Sequence, residues 1–343
     1  MIVRASLIVQ FCLLSCLSCF ANSDPVWPVQ DVTFTGSANY REFGQATSSG
    51  KPESALFGCV RTNGRQFHEA IDIAPVKPRN RGEATDPVVA IHDGVVKHIS
   101  NVSGNSSYGR YIVVEHPSLD LVIFSLYSHL ASIADGIRPG TMVQAGDVLG
   151  IMGRSAGGYT IPRERSHLHL EIGLRLSGDF ENWYVRQGYT TPNKHGNFNG
   201  INLIGLDPLD YFERFRVGQV QSPLTYLETI PPAVMVHVFS NRKPDFLERY
   251  PELVIPGSEP GEQAGWEVIL SAWGLPLSGK PLDRGSLIGV RNEGDISVVG
   301  VDRTELSRYA CRRIVQESNG KVVLGRGGQA IIEIMFMPGR RAE

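Results

Sequence analysis

One short run of the sequence, residues 166–172, alternates polar and apolar side chains without a break. An alternation with a period of two is typical of a β-strand, whose successive side chains point to opposite faces. On such a strand His167, His169 and Glu171 share one face. A helix would point positions two apart in different directions, because it has about 3.6 residues per turn. The run therefore predicts a strand that presents two imidazoles and a carboxylate to one place.

A second alternating run, residues 67–74, places a histidine and an aspartate at an even spacing. His68 and Asp72 are predicted to share a strand face with Ala70 and Ala74, small residues that leave room for a metal ion. A further histidine, His129, follows the apolar run that begins at residue 121. An isolated His-x-His is as often a pair of surface or core-edge histidines, but these two additional features favour a site.

The residue types indicate which metal such a site would bind. Two imidazoles, one carboxylate and a water molecule form the open tetrahedral site of a catalytic zinc ion, whereas a structural zinc site is closed by four protein ligands, usually including cysteines. By spacing alone, His167 and His169 are equivalent as the second imidazole ligand. Zinc in an open site lowers the pKa of its water and polarises a carbonyl group, so the pattern predicts hydrolytic chemistry with one zinc per chain.

The same residues belong to a longer series of motifs. In chain order, these are Phe57-Gly58-Cys59-Val60-Arg61, His68-x-x-x-Asp72, Asp93-Gly94-Val95-Val96, Tyr108-Gly109, Tyr127-x-His129-Leu130, His167-x-His169 and Asp207-Pro208-Leu209. The series resembles the lysostaphin-type family of zinc endopeptidases, which cut peptide cross-links of peptidoglycan. The resemblance extends over roughly residues 55–212.

This resemblance implies a role for each residue of the site. His68, Asp72 and His169 would bind the zinc, and His129 and His167 would flank the reacting groups as general base and as the group that stabilises the oxyanion or protonates the leaving amine. Which of the two histidines has which role is open. The remaining histidines are not assigned to the metal: His92, His98, His116, His195 and His237.

Glu171 lies on the predicted strand face of His169 and is expected to accept a hydrogen bond from a ligand imidazole. An exposed carboxylate at the strand end is the alternative. The predicted function is zinc-dependent hydrolysis of peptidoglycan cross-links. A non-catalytic wall-binding or hydrolase-activating module of the same fold is the alternative, and a peptidase that acts on proteins is a third.

Two segments are longer than the family usually has, residues 75–87 and 153–167. They carry six basic residues: Lys77, Arg79, Arg81, Arg154, Arg163 and Arg165. Neither segment removes a metal ligand, so they bear on substrate specificity.

Composition excludes one class of partner. The chain has 343 residues, 42% of them hydrophobic and 20% charged, with a formal net charge of −2. This is an ordinary globular mixture. It has no excess of basic residues, so a nucleic-acid partner is not expected. The sequence carries no indication of the oligomeric state.

The first residues are typical of an export signal. Arg4 precedes an apolar run over residues 7–17, and Cys19 and Ala21 frame a small-residue cleavage site, so residues 1–21 are predicted to be a signal peptide. The protein is then periplasmic or extracellular. Processing before Cys16 is the alternative and would leave a lipid-anchored protein at the cell envelope.

Two cysteines remain after such a signal peptide, Cys59 and Cys311. In an exported protein they could form one disulfide, and two buried free thiols are the alternative. Sequence separation does not decide between these arrangements.

The predicted fold is mainly β. Residues 22–54 are a turn-rich lead-in expected on the surface, and residues 55–216 are short apolar runs divided by glycines, which predict an antiparallel β-sheet peptidase domain. Residues 217–343 are predicted to form a smaller α+β domain of unknown role. Its expected elements are strands at 234–239, 266–273 and 330–336 and a helix at 304–317, capped by Asp302 or Thr304 and ended by Gly320.

Overall fold

The structure is a computed structural model and describes residues 24–77, 82–259 and 261–336. The predicted signal peptide, its cysteines, and Arg79 and Arg81 lie outside the described residues. Antiparallel β-sheets dominate, which confirms the mainly β fold class. Within the described ranges, no helix is both long enough and apolar enough to cross a membrane.

Twelve strands and three helices form the first part of the chain. The strands are β1 (Gly58–Arg61), β2 (Gln66–His68), β3 (Ile71–Ile73), β4 (Pro87–Val89), β5 (Gly94–Ser100), β6 (Tyr111–His116), β7 (Ile123–Ser128), β8 (Ser132–Ile133), β9 (Met142–Val143), β10 (Val148–Ile151), β11 (Leu168–Arg175) and β12 (Leu203–Leu206). The helices are α1 (Tyr40–Phe43), α2 (Phe180–Arg186) and α3 (Pro208–Arg216).

Six strands and four helices follow. They are α4 (Pro223–Glu228), β13 (Val234–Phe239), α5 (Asp245–Arg249), β14 (Gln263–Leu270), β15 (Pro276–Asp283), β16 (Ile296–Val301), α6 (Arg303–Arg308), β17 (Val315–Ser318), β18 (Lys321–Leu324) and α7 (Arg326–Phe336).

The largest sheet has the strand order β12-β11-β7-β6-β5-β9, and β3 pairs with the first half of β11 on the edge that β12 shares. The apolar positions of β11 are fully buried: Leu168, Leu170 and Ile172. The opposite face of this sheet is also covered, because Tyr111, Val113, Phe124, Leu126 and Leu203 form a second buried cluster there. Coverage on both faces makes the sheet a rigid support for side chains at its rim.

The lead-in lies on the surface only in part: most of residues 24–54 are exposed or half-buried, as predicted, but Trp27 and Val29 are buried in the core. Trp27 is 4% exposed and stacks on Phe34 with ring centroids 4.8 Å apart. Its edge contacts Phe43 and Phe212, and Val29 pairs with Val88 of β4. Aromatic burial outweighs the polar, turn-rich composition of this segment.

The C-terminal part contains a four-stranded antiparallel sheet in the order β15-β14-β13-β16 and the hairpin β17-β18. A disulfide joins Cys59 of β1 to Cys311 after α6. The buried Trp273 donates a hydrogen bond from Nε1 to the Gly205 carbonyl of β12 at 2.9 Å. These contacts attach residues 217–336 to the first part of the chain, and the domain boundary at residue 217 stays a prediction.

Two of the expected C-terminal elements are wrong. The helix expected at 304–317 ends at Arg308, because Tyr309 leaves helical dihedral angles (φ −123°). A 3-10 turn over Ala310–Arg312 follows, and residues 315–318 form β17. Gly320 does not end a helix but forms the β17-β18 turn with Asn319, both with positive φ, as two-residue hairpins require. Asp302 does cap α6, since its carboxylate accepts from the Thr304 and Glu305 amides.

The strand expected at 330–336 is the second half of α7. Its apolar run is buried on most sides, and a short continuous apolar run is equally compatible with a buried helix. By contrast, β13 has the predicted bounds, and β14 covers most of the predicted strand at 266–273.

Candidate metal centre

The site lies at one end of β11, where three strands meet. His169 lies directly opposite Asp72 of β3 on one side and Ser128 of β7 on the other. His68 is the last residue of β2, which pairs with β1 and not with the large sheet. The single strand predicted for residues 67–74 is therefore two strands, with Glu69 and Ala70 between them. This break, and not strand periodicity, brings His68 towards Asp72.

The three predicted metal ligands converge in space. The Nε2 atom of His68 lies 3.2 Å from Oδ1 of Asp72, and Nδ1 of His169 lies 3.1 Å from the same oxygen. The two imidazole nitrogens are 3.3 Å apart. The three ligand atoms all lie within 4.8 Å of one another, a grouping that can hold a metal ion. His167 is outside this group, with Nε2 3.4 Å from the other Asp72 oxygen.

Backbone carbonyls set the tautomers of three histidines. Nδ1 lies 2.8 Å from the Leu56 carbonyl in His68, 2.8 Å from the Ser155 carbonyl in His129 and 2.7 Å from the Arg165 carbonyl in His167. A carbonyl oxygen only accepts, so each Nδ1 carries the hydrogen and each Nε2 presents a lone pair.

His129 owes its position to the turn that follows β7. Its φ of 61° is left-handed, and its amide donates to the Tyr108 carbonyl at 3.0 Å. Gly109 is also left-handed, and a side chain there would collide with the Ser155 carbonyl that holds the His129 ring. The ring centroids of His129 and His167 are 4.8 Å apart, so the two predicted catalytic residues are neighbours.

Glu171 holds the far side of His169, since its Oε1 lies 3.0 Å from Nε2 of that imidazole. The same oxygen accepts a hydrogen bond from the Tyr108 hydroxyl at 2.7 Å. Burial, with Glu171 as a further cause, raises the pKa of Tyr108 well above its ordinary value, so the hydroxyl keeps its proton. The motif search noted Tyr108 without a role, because nothing in the sequence signals this contact.

Burial dominates the electrostatics of the imidazoles. It lowers the pKa of His68 and His167, and it lowers that of His129 well below the ordinary value with help from the nearby His167 and His169. Burial also acts to lower the pKa of His169, but hydrogen bonds to Asp72 and Glu171 outweigh it and raise the pKa to about 9. His129 and His167 are therefore neutral at pH 7 and able to accept a proton.

Arg61 adds a cation that sequence reasoning had noted only as part of a motif. Its Nη2 atom lies 2.5 Å from Oδ2 of Asp72 and 2.8 Å from Nε2 of His68. Burial raises the pKa of Asp72, but His167, His68 and His169 outweigh it and hold the pKa well below its usual range. Asp72 is thus an ionised carboxylate that contacts two cationic side chains, Arg61 and His169.

These residues line a cleft of about 740 Å³. Tyr159, Ile161 and Arg165 of the long segment 153–167 form part of its wall, and residues 45–51 of the lead-in form another part. Arg154 and Arg163 lie instead 3.0 Å and 3.4 Å from Glu83. One basic residue of that segment, Arg165, therefore lines the cleft.

The comparisons with known proteins agree with this geometry. Residues 66–180 match the family model described as Peptidase family M23, which confirms the resemblance drawn from the motifs. A search of curated proteins gave no match.

Three solved structures illustrate the likeness in fold. The candidate glycyl-glycine endopeptidase LytM from Ruminococcus gnavus is 22% identical, over 58% of this chain and 62% of that one, with a TM-score of 0.34. Csd3 from Helicobacter pylori is 16% identical, over 55% and 34%, with a TM-score of 0.30. The catalytic domain of the antimicrobial peptidase lysostaphin from Staphylococcus simulans is 15% identical, over 52% and 98%, with a TM-score of 0.29. The chain thus spans less than two thirds of the first of these proteins.

Proposed function

Residues 66–180 form a domain of peptidase family M23, and from this premise we propose that the protein is a zinc-dependent endopeptidase that hydrolyses peptide cross-links of peptidoglycan. One observation carries the proposal: His68, Asp72 and His169 converge as ligands beside two further imidazoles with free lone pairs.

The donor set fits zinc. Two imidazoles and one carboxylate leave a coordination position open, as in catalytic zinc sites. His68 would bind through Nε2, because Nδ1 donates to Leu56, and His169 would bind through Nδ1, because Nε2 faces Glu171. When bound, zinc supplies a Lewis acid that activates a water molecule and polarises the scissile carbonyl.

The chain's own residues handle the protons. His129 and His167 each present a neutral Nε2 lone pair at the cleft, so either can take a proton from the attacking water. The imidazolium formed in this way then carries a proton on Nε2 that it can donate to the oxyanion or return to the leaving amine. Their Nδ1–H groups are held by carbonyls, which fixes the orientation of both rings. Glu171 fixes the orientation of the His169 ring through its contact with Nε2, and Tyr108 donates a hydrogen bond to the same Glu171 oxygen.

The substrate class is part of the proposal. Peptidoglycan cross-links are favoured over protein substrates by the lysostaphin-type motif series. The non-catalytic alternative, a wall-binding or activating module, requires a site that cannot turn over. All five site residues are present and converge, which favours an enzyme.

The proposal includes export to the periplasm or the outside of the cell. The Cys59–Cys311 disulfide supports it, because disulfides persist in oxidising compartments and are rare in the cytosol. Whether the protein is soluble there or lipid-anchored at Cys16 follows from the predicted N-terminal processing.

The test is a paired digestion with a metal analysis. The purified protein is incubated with isolated peptidoglycan and, in parallel, with casein, each with and without a zinc chelator, and the products are identified by mass spectrometry. We expect about one zinc per chain, release of uncross-linked muropeptides, chelator sensitivity and no digestion of casein.

Each departure from that result has a distinct meaning. Cleavage of casein alone would replace the wall substrate by a protein substrate. Zinc without any cleavage would favour the activating module, and a protein that binds no zinc would overturn the enzyme proposal.

A further inference from the structure

A second cavity, of about 780 Å³, adjoins the catalytic cleft. The cavity and the cleft share four wall residues: Phe67, Glu69, Ser107 and Tyr108. Glu69 follows the predicted zinc ligand His68 directly in the chain. A peptide bound across the metal centre can therefore continue into this cavity without leaving the protein surface.

Both halves of the chain build this cavity. The peptidase part contributes segments 104–108 and 191–205, and the C-terminal part contributes Trp273, Arg312 and one face of α7. Arg312 stacks on Phe67 at 5.1 Å from the ring centroid, and the disulfide at Cys311 holds this segment against β1. The C-terminal part thus forms a wall next to the cleft and is not a remote module.

One end of the cavity carries polar atoms without partners. Both ring nitrogens of His195 and the hydroxyl oxygen of Ser106 are buried and make no hydrogen bond. The His195 residue is only 9% exposed, and its ring lies near the Asn105 backbone without satisfactory hydrogen-bond geometry. Buried polar atoms left unpaired cost free energy, so atoms of this kind commonly face a ligand or an ordered water molecule.

The charge at this end is positive. The charged lining residues are Lys194, Arg312 and Glu69. Arg312 and Glu69 form an ion pair at 3.5 Å. Lys194 donates to the Asn105 side-chain oxygen at 3.1 Å and makes no ion pair with any carboxylate among the described residues. The end of the cavity therefore favours an anionic group.

The opposite wall is apolar. Trp273, Ile331 and Ile334 are among its lining residues, and little of their surface is exposed. A ligand that suits both ends has aliphatic side chains, backbone amides and one carboxylate. A short peptide with a free C-terminus has this chemistry.

We propose that this cavity is a substrate subsite that binds the free C-terminal end of a wall peptide, with its carboxylate beside the exposed Lys194 at the cavity rim. The inference rests on the proposed function, because it takes the peptide to be one arm of the cross-linked substrate. The C-terminal part of the chain then serves substrate binding directly.

The test measures binding and not cleavage. A wall tetrapeptide that is already uncross-linked, and so is a product and not a substrate, is titrated into the zinc-loaded wild-type protein by calorimetry. Its C-terminal carboxamide serves as the matched ligand. Lys194→Gln removes the cation, Ala330→Met fills the cavity from α7, and Lys321→Gln on exposed β18 is the control.

We expect the carboxylate peptide to bind wild type about tenfold more tightly than the carboxamide, because a hydrogen bond between two charged groups is stronger than one to a neutral amide. Lys194→Gln should abolish that preference, Ala330→Met should weaken both peptides, and Lys321→Gln should change neither. Thermal melting confirms that each variant is folded.

Equal affinity for both peptides in wild type and Lys194→Gln would overturn the subsite, even if the wall is cleaved. Lys194-dependent binding in a protein that does not cleave wall would uphold the subsite and overturn the proposed function. The two inferences therefore fail separately.

Discussion

Each of the two large sheets places a buried histidine directly opposite a carboxylate on the next strand. In the peptidase sheet His169 of β11 faces Asp72 of β3, with Nδ1 3.1 Å from Oδ1. In the C-terminal sheet His237 of β13 faces Glu267 of β14, with Nε2 3.3 Å from Oε2. Pair geometry is nearly the same in both sheets.

The two pairs differ in what surrounds them. The Nδ1 atom of His237 accepts a hydrogen bond from the Ile288 amide, in the connection between β15 and β16, at 2.9 Å, so both ring nitrogens have a partner in the C-terminal part. In the peptidase sheet, Nδ1 of His169 also lies near His68, which belongs to the separate β1-β2 pair. His68, Asp72 and His169 all line the cleft. A cross-strand pair becomes a candidate metal site when a third ligand converges on it and solvent can reach it.

Replacing the pair histidines should show the largest difference. His169→Ala is expected to abolish zinc binding and wall cleavage, because two ligands cannot complete the site. His237→Ala should keep the zinc and lose stability, since it removes a buried hydrogen-bonded ring. Metal content by mass spectrometry, together with muropeptide release, measures both. A His169→Ala protein that retains its zinc would contradict the assignment.

Replacing the flanking imidazoles should separate catalysis from metal binding. His129→Ala and His167→Ala are each expected to keep zinc and to lower turnover roughly 10²–10⁴-fold, the usual contribution of a general acid or base. Turnover on a defined cross-linked peptide is the measurement, with zinc content as the control. Loss of zinc in His167→Ala would make His167 the ligand and reopen the choice that spacing alone leaves undecided.

Each histidine has a glutamate at its Nε2 atom, Glu171 for His169 and Glu267 for His237, and replacing these glutamates should show a smaller difference, in zinc affinity. Glu171→Ala removes the acceptor that orients His169 and should weaken zinc affinity about 10- to 100-fold, as is usual for such supporting groups. Glu267→Ala removes the partner of His237 and should leave zinc affinity unchanged. Competition with a chromophoric chelator measures both variants. If Glu171→Ala and Glu267→Ala bound zinc equally tightly, the Glu171 contact would not support the ligand His169.

Buried histidines away from the site should show a smaller effect, on stability. Burial lowers the pKa of His116 from 6.5 to about 4, and it outweighs the hydrogen bond to the Asp93 carbonyl, which acts to raise the pKa. The unfolded chain binds a proton below pH 6.5 and the folded one does not until about pH 4, so stability falls as the pH drops through this window. The contribution of His116 between pH 7 and pH 5 is about 2 kcal/mol.

Urea unfolding at pH 7 and pH 5 measures this loss, with His116→Gln as the variant in which the slope should become shallower. His92, which hydrogen-bonds to Tyr211 and whose pKa burial lowers to about 3, adds to the slope in both proteins. An unchanged slope in His116→Gln would contradict the assignment of this proton to His116.

Local periodicity was enough to predict some features. The alternation at 166–172 predicted β11 and the shared face of His167, His169 and Glu171, because strand geometry depends only on neighbouring residues. The predicted bounds of β13 are correct for the same reason.

Other features depended on contacts between distant segments. The even spacing of His68 and Asp72 predicted one strand, yet they meet because the chain leaves one strand pair and enters another. The buried apolar run of α7 has no period that distinguishes it from a strand. α6 is short because the chain leaves helical dihedral angles at Tyr309, just before Cys311 is joined to Cys59.

By itself, the sequence determined the kinds of ligand and the strand that carries half of them, since residue type and local period are properties of neighbours along the chain. Only the tertiary structure decided that Nδ1 of His169 faces Asp72 and His68, that Tyr108 supports Glu171, and that a C-terminal wall adjoins the cleft. Each of these is a contact over many residues of separation, and the free energy of packing, not local propensity, selects such contacts.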